Sequence, residues 1–237
     1  MLLTKAFRDA EVVFVLPPPI FDPEPGFQEA YTAMTAVRDA VRNSGAGKVL
    51  YLSTIGAQTK QTTVLSQLTI GEFIFGQLEI PVIYLRRAWF IENTAWDIVS
   101  ARNNGVMHSF LQPLDKPVPM VTVELVQENW TGQRVVELEG PSRTAPLGLG
   151  EALSKILKHQ VRVEAVPRDS WEGLLVGQGM RSLNPRIRMI DGFNEGWIDF
   201  ANGFAGTRRD RRLPIPSSAR YPETLTRADK RQDLKSK

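Results

Sequence analysis

Residues 48–93 read KVLYLSTIGAQTKQTTVLSQLTIGEFIFGQLEIPVIYLRRAWFIEN, and the fold turns on this stretch. Two short apolar runs, 49–52 and 82–85, are β-branched or aromatic in part. Each stops at an abrupt polar change, so both read as buried strands. Between them, residues 65–77 have the length and spacing of a helix. Leu65, Leu68, Glu72 and Phe75 fall on one side with Ile70 and Ile74 beside them, giving the broad apolar face of a helix laid over a sheet. Strand, helix, strand in that order makes a right-handed crossover between parallel strands. Ser53, Thr54, Ile55 and Gly56 follow the first strand and residues 86–93 follow the second. In open parallel sheets, ligands sit at these carboxyl ends.

Upstream, residues 6–19 read AFRDAEVVFVLPPP. Positions 12–16 are apolar throughout and are then broken by Pro17, Pro18 and Pro19, the pattern of a strand buried on both faces that ends in a rigid loop. Such a strand belongs inside a sheet, so an upstream element is expected to cover it. Residues 27–44 read as a helix, with Ala30, Met34, Val37 and Val41 on one face and Gly45 and Gly47 as its stop. The front half is therefore strand, helix, strand, helix, strand: an open α/β parallel sheet.

Downstream, residues 89–102 read as a helix, followed by a proline-rich loop over 112–119. Strands are predicted at 120–126, 134–138 and 160–166, the last alternating Val161, Val163 and Ala165 with charged residues. Helices are predicted at 147–158 and 170–178, the second with Trp171, Leu174 and Leu175 inward, and a helix with a turn at 184–200. The apolar pattern fades after Gly203, and an extended or disordered tail is expected from about Leu213.

The chain has 237 residues, 42% hydrophobic and 23% charged, enough for a buried core with an appended lobe. No run reaches the length of a membrane span, and Lys5, Arg8 and Asp9 interrupt the amino terminus too soon for a secretory segment. The absence of cysteine excludes disulfides, thiolate zinc sites and thiol catalysis; it fits a reducing interior, and the cytoplasm is the expected location. The formal charge is +3, with much of the excess in 208–212 and 227–237. No aromatics are interleaved there for base stacking, so these read as a solvated tail and neither nucleic acid nor membrane is an expected partner.

Ser53, directly after a buried strand, is placed either to hydrogen-bond a substrate carbonyl or to turn the chain out of the strand. A tyrosine and lysine separated by three residues would supply a phenolic proton donor, but residues 62–75 hold no tyrosine, lysine or histidine. His108 and His159 are too far apart to suggest a metal pair and read as surface or loop residues; no metal site is expected. Glu72 is a carboxylate on an apolar helix face, where hydrogen-bonded structure is favoured over proton handling. Residues 191–197 lack the alternating acids of a calcium loop and read as a glycine-punctuated turn with Phe193 and Trp197 packed inward. The glycine-rich turn that cradles a pyrophosphate is missing; Gly148 and Gly150 have a GxG spacing but follow no strong strand.

Taken in order, VVFVLPPP, KVLYLSTIGA, PVIYLRRAWFIEN, ELEGP and RMIDGFNEGWIDF resemble the NmrA-like group of atypical short-chain dehydrogenases, from about Ala6 to Phe200. The resemblance implies an incomplete Rossmann-type parallel sheet with a small α+β carboxyl-terminal lobe. Residues 1–105 would be the remaining half of the NAD(P)-binding domain, 106–205 a substrate and closing lobe interleaved with the sheet, and 206–237 a basic, disordered tail. It further implies NADP or NAD as cofactor, and a cleft lined by the loops after the family's fourth, fifth and sixth strands, here 17–19, 53–56 and 88–93. Pro17, Pro18, Pro19, Ser53, Thr54, Trp89, Phe90 and Asn93 are carried over as cofactor-binding residues, with Ser53 also the catalytic candidate.

The chain departs from the family at three places. It starts just before the family's fourth strand, so the first strand and the helix end that binds pyrophosphate have no counterpart; residues 12–16 would then be an exposed edge, open to a protein partner. The family's lysine or histidine four residues before the glutamate falls on Leu68. Residues 120–131 leave little room for a helix that the family carries there. The functions implied are an NAD(P)H-dependent oxidoreductase for a small carbonyl or quinone-like acceptor, a non-catalytic dinucleotide-sensing regulator that binds a partner protein, or a non-functional truncated product.

Overall fold

The computed structural model describes residues 2–18, 20–121, 129–201 and 208–212. Its elements in chain order begin α1 (Leu2–Ala6), β1 (Val13–Val15), α2 (Gln28–Arg42), β2 (Val49–Thr54), α3 (Ser66–Phe75), β3 (Val82–Arg87) and β4 (Trp89–Phe90). A 3-10 turn (Ile91–Asp97) leads to α4 (Ile98–Asn104), β5 (Val106–Ser109), β6 (Met120–Val121) and β7 (Gln133–Leu138). The back of the chain supplies α5 (Pro146–Leu157), β8 (Arg162–Ala165), α6 (Trp171–Gly177), α7 (Leu183–Glu195) and β9 (Arg208–Arg212).

The main sheet has the order β1-β2-β3-β7-β9. Its first four strands are parallel: Val13 pairs Val49, Val49 pairs Val82, and Val82 pairs Gln133. The expected parallel α/β sheet is thus present, with β9 added antiparallel along β7 from within the basic tail.

All six residues of β2 are buried, which requires cover on both faces. Alternate side chains divide between two clusters. Val49, Tyr51, Val82, Tyr84 and Val135 pack with Ala30, Met34 and Val41 of α2 and with Ile70, Ile74 and Phe75 of α3. Leu50, Leu52, Ile83, Leu85 and Val136 face the other way, against Trp171 and Leu175 of α6 and Ile187, Ile190 and Phe193 of α7. One face is therefore covered by the front helices and the other by the back half of the chain. Each large side chain so buried contributes roughly 1.5–3 kcal/mol.

Helix α3 lies close against β2. The Tyr51 hydroxyl donates to the Leu68 carbonyl at 3.0 Å, across a helix whose Gly71 carries no Cβ. A Cβ there would lie 2.0 Å from that hydroxyl.

Three expectations are corrected. The apolar pattern of residues 12–16 reads as a strand buried on both faces, whereas the family resemblance makes it an exposed edge, and the edge is what forms: β1 has Val13 and Val15 inward and Phe14 46% exposed. The cover supplied by α6 and α7 does not extend over β1, so its second face meets solvent. Residues 89–102 read as one helix, yet Trp89 and Phe90 are extended and pair in parallel with Met120 and Val121; the α-helix begins only at Ile98. The Trp89 amide donates to the Pro119 carbonyl, and this strand pairing overrides the local helical pattern. The strand read at 134–138 begins one residue earlier, while of that at 120–126 only β6 is described, since 122–128 lie outside the described residues.

The half-exposed strand expected at 160–166 is β8, paired in parallel with β5. Sequence reading gave it no partner, because β5 is only four residues long.

Gly71→Ala is expected to lower unfolding stability by about 1–3 kcal/mol, the cost of overpacking a filled core. Urea denaturation would check this; an unchanged midpoint would mean that α3 can shift away from Tyr51.

Candidate functional site

The carboxyl ends of β1, β2 and β3 converge on one cleft of about 330 Å³. Pro17 and Pro18 close it at the end of β1, Thr54 and Ile55 at the end of β2, and Arg87, Ala88, Trp89 and Phe90 at the end of β3. Asn93 and Trp96 come from the 3-10 turn, and Arg186, Met189 and Phe193 from α7. A second chamber of about 590 Å³ adjoins it and reaches His108, Phe110 and Leu175. Phe21, Trp89, Asn93, Trp96, Arg186 and Met189 line both chambers, so these residues form the passage between them.

The loop that carries Phe21 is held at both ends. Gln67 Nε2 of α3 donates to the Ile20 carbonyl at 3.0 Å. Asp22 accepts from the Ser182 and Arg181 amides at 2.6 and 3.0 Å, at the amino end of α7. The Ser182 amide is the main reason that the Asp22 carboxyl is held below the usual carboxylate range. Phe21 meets Trp96 edge-on with ring centres 6.4 Å apart, and Trp89 meets Phe193 likewise at 5.3 Å. The walls are thus flat aromatic rings held edge to face, Phe193 buried and the Phe21 and Trp96 pair largely exposed.

The cleft brings together most residues expected from sequence: Pro17, Pro18, Thr54, Trp89, Phe90 and Asn93 all line it. Pro19 lies outside the described residues. Ser53 does not line it. It is fully buried on the sheet face covered by α3, and its hydroxyl donates to Glu72 Oε1 at 2.5 Å. Arg86 clasps the same carboxylate from β3, Nε to Oε1 at 2.9 Å and Nη2 to Oε2 at 2.7 Å. Burial opposes the Arg86 charge, but the Glu72 hydrogen bonds outweigh it and leave the guanidinium pKa raised. Desolvation, reinforced by the Glu72 charge, pushes the Tyr51 and Tyr84 phenols well above their usual range. Glu72 is thus tied into hydrogen-bonded structure. Leu68, which stands where the resemblance puts a lysine or histidine, lines the cleft with an apolar side chain.

Arg87 and Arg186 escaped the sequence reading. The Arg87 guanidinium lies 3.8 Å from the centre of the Phe90 ring, and its hydrogen bond is a long one, 3.4 Å to the Ala88 carbonyl. Its Nε is buried without a partner, and desolvation lowers its pKa to about 10, so it remains charged at neutral pH. Arg186 repeats the pattern: its guanidinium is 5.4 Å from the Phe21 ring centre, its Nε is buried without a partner, and burial lowers its pKa. The LRR run at the end of a buried strand was the signal for Arg87. Nothing local marked Arg186, because only tertiary packing turns α7 toward the cleft.

In the second chamber, burial raises the Asp97 carboxyl, opposed by the charge of His108. His108 is exposed on β5 and His159 is exposed with Nδ1 3.1 Å from the Gln160 carbonyl. Among the described residues, no group of three acidic, histidine or cysteine side chains could hold a metal ion, and no helix is long and apolar enough to cross a membrane.

No protein-family model matches the chain, and no curated protein matches it. Solved structures do. The triphenylmethane reductase of Citrobacter sp., complexed with NADP(H), aligns over 95% of this chain and 79% of its own at 16% identity, with a TM-score of 0.63. An NADPH-dependent quinone oxidoreductase of Escherichia coli, complexed with NADPH, aligns over 96% and 79% at 16% identity and 0.65. A nucleoside-diphosphate-sugar epimerase of Staphylococcus aureus aligns over 83% and 71% at 14% identity and 0.63. These likenesses are of fold: the chain has the Rossmann-type α/β architecture that its resemblance to the NmrA-like group implied.

Glu72→Ala would strand the Arg86 charge between sheet and helix and is expected to cost about 3–5 kcal/mol of stability. Ser53→Ala removes one hydrogen bond to a charged group and should cost about 1.5–3 kcal/mol. Parallel urea titrations would rank the two; equal losses would mean that Arg86 finds another carboxylate.

Proposed function

We propose that this chain is an NAD(P)H-dependent oxidoreductase that reduces a small carbonyl or quinone-like acceptor. The observation that carries this reading is the pair of adjoining chambers at the carboxyl ends of parallel strands, joined through Trp89 and Asn93. In this fold a dinucleotide lies across those strand ends. The reading also draws on the NADP(H)-bound reductases that share the fold. The bound cofactor would supply a hydride.

The chain's own residues would bind and orient. Pro17 and Pro18 form a stiff wall after β1, and Thr54, whose buried hydroxyl donates to the Ile55 carbonyl at 3.1 Å, fixes the turn of the wall after β2. Asn93, with both donors and an acceptor, would fix a carboxamide or acceptor carbonyl at the passage. Trp89, Phe90 and Phe193 would stack on flat rings and keep water out. Ser53 would act through the sheet: with Glu72 and Arg86 it locks the ends of β2 and β3 that carry Thr54 and Arg87.

Leu68 bears on the acceptor. Hydride transfer to a quinone yields a hydroquinone anion, which takes its proton from water without a positioned acid. Hydride transfer to a simple ketone or aldehyde yields an alkoxide, whose formation needs a donor close by. With leucine at this wall, quinones fit better than simple carbonyls. The same leucine favours a second reading, a dinucleotide-sensing regulator that performs no turnover.

Quenching of Trp89 and Trp96 fluorescence by NADPH or NADH, followed by NADPH oxidation with quinone and aldehyde panels, separates these readings. Binding with quinone turnover at least about tenfold above aldehyde turnover is expected, and Asn93→Ala should weaken dinucleotide binding or turnover about tenfold for one lost hydrogen bond. Binding without turnover of any acceptor would leave the regulator, and no quenching by either dinucleotide would end both readings.

A further inference from the structure

Six of the arginines described form an ion pair with a carboxylate. Arg38 meets Asp39, Arg86 meets Glu72, Arg143 meets Glu139 and Asp199, and the pairs of Arg162, Arg168 and Arg181 lie nearer the surface. Arg87 and Arg186 are the exception at the cleft: both line the same chamber, both lie over an aromatic ring, and both bury an Nε that has no partner. The chain's acids near them are committed elsewhere. Glu72 is taken by Arg86 and Ser53 on the opposite face of the sheet and Asp22 by the amino end of α7, while Asp97, which shares the second chamber with Arg186, forms no ion pair with it. Arginine cannot relieve such a position by shedding its proton, as a buried lysine can. A half-buried guanidinium held against a ring, with its Nε buried and unpaired, is arranged to meet an anionic oxygen group that comes from outside.

We propose that Arg87 and Arg186 form a two-pronged anion site in the cleft, and that its ligand is a flat aromatic acid whose carboxylate they bind while its rings lie against Trp89, Phe90 and Phe193. The body of the ligand follows from the rest of the wall, where Leu16, Ile55, Leu65 and Leu68 offer apolar contact and no charge. Its flatness follows from the aromatic faces and from a chamber of about 330 Å³, space for a two-ring body. The acid's place as hydride acceptor, a quinone carrying a carboxylate, rests on the reductase reading above. The anion chemistry alone would also suit a phosphate of the dinucleotide. The apolar, ring-lined wall around the pair favours the acid.

The test is a tryptophan fluorescence titration of the full chain with 2-naphthoate and with its neutral counterpart 2-naphthalenemethanol. The acid is expected to bind about tenfold or more tighter than the alcohol, the discrimination of a charge-assisted pair. Arg87→Met and Arg186→Met should each erase most of that preference while leaving the alcohol's affinity within about twofold. The two residues lie on different elements, so one variant carries the test if the other fails to fold, as judged by its near-ultraviolet spectrum. Saturating NADPH should leave naphthoate binding in place. Equal affinity for acid and alcohol, an unchanged preference in the folded variants, or displacement of naphthoate by NADPH would each overturn the proposal, the last by assigning the arginines to the cofactor's phosphate. Because the titration needs neither cofactor nor turnover, its failure leaves the reductase reading standing, and a lack of hydride transfer leaves the anion site standing.

Discussion

Two strands that are apolar on both faces must be covered from both sides, and the rest of the molecule is arranged by that requirement. Every side chain of β2 is buried, as are the first four of β3. The helices that connect the front strands can reach only one face. The second face is therefore closed by residues far along the chain, Trp171, Ile187, Ile190 and Phe193 among them. Covering that face brings α7 against the strand ends, and the cleft is the space left where this cover meets the ends of β1, β2 and β3.

The same geometry separates the polar groups into two populations. On the α3 side, Ser53, Glu72 and Arg86 satisfy one another in a closed network and fasten helix to sheet. One residue further along each strand, Thr54 and Arg87 point to the opposite face and line the cleft. Strand alternation alone makes this difference. A serine and an arginine become structural, and their neighbours become part of the cleft wall. Alternation also explains why Ser53, well placed by sequence position, offers its hydroxyl to a carboxylate and not to the cleft.

Most of the sheet was legible because its signals are local. Apolar runs at 49–52 and 82–85, a helix-length pattern between them and prolines after Leu16 are each contained within a few residues. The misreadings arose where a distant segment decides. Val12, Phe14 and Leu16 are apolar like a central strand, yet among the described residues that face of β1 is left partly exposed. Trp89 and Phe90 sit in a helical pattern, yet residues 119–121 draw them into a strand pair.

By itself the sequence determined the parallel order of the front strands, the carboxyl-end loops and therefore the location of the cleft, because period and punctuation act over short distances. The resemblance to the NmrA-like group added Pro17, Pro18, Thr54, Trp89, Phe90 and Asn93 as candidates, and these six line one cleft. Only the tertiary structure decided that Glu72 pairs with Arg86, and that Arg87 and Arg186, 99 positions apart, line the same chamber half-buried, with no ion pair among the described residues. Whether a buried charge is paired depends on which side chains long-range packing brings within hydrogen-bonding distance, and no local pattern records that.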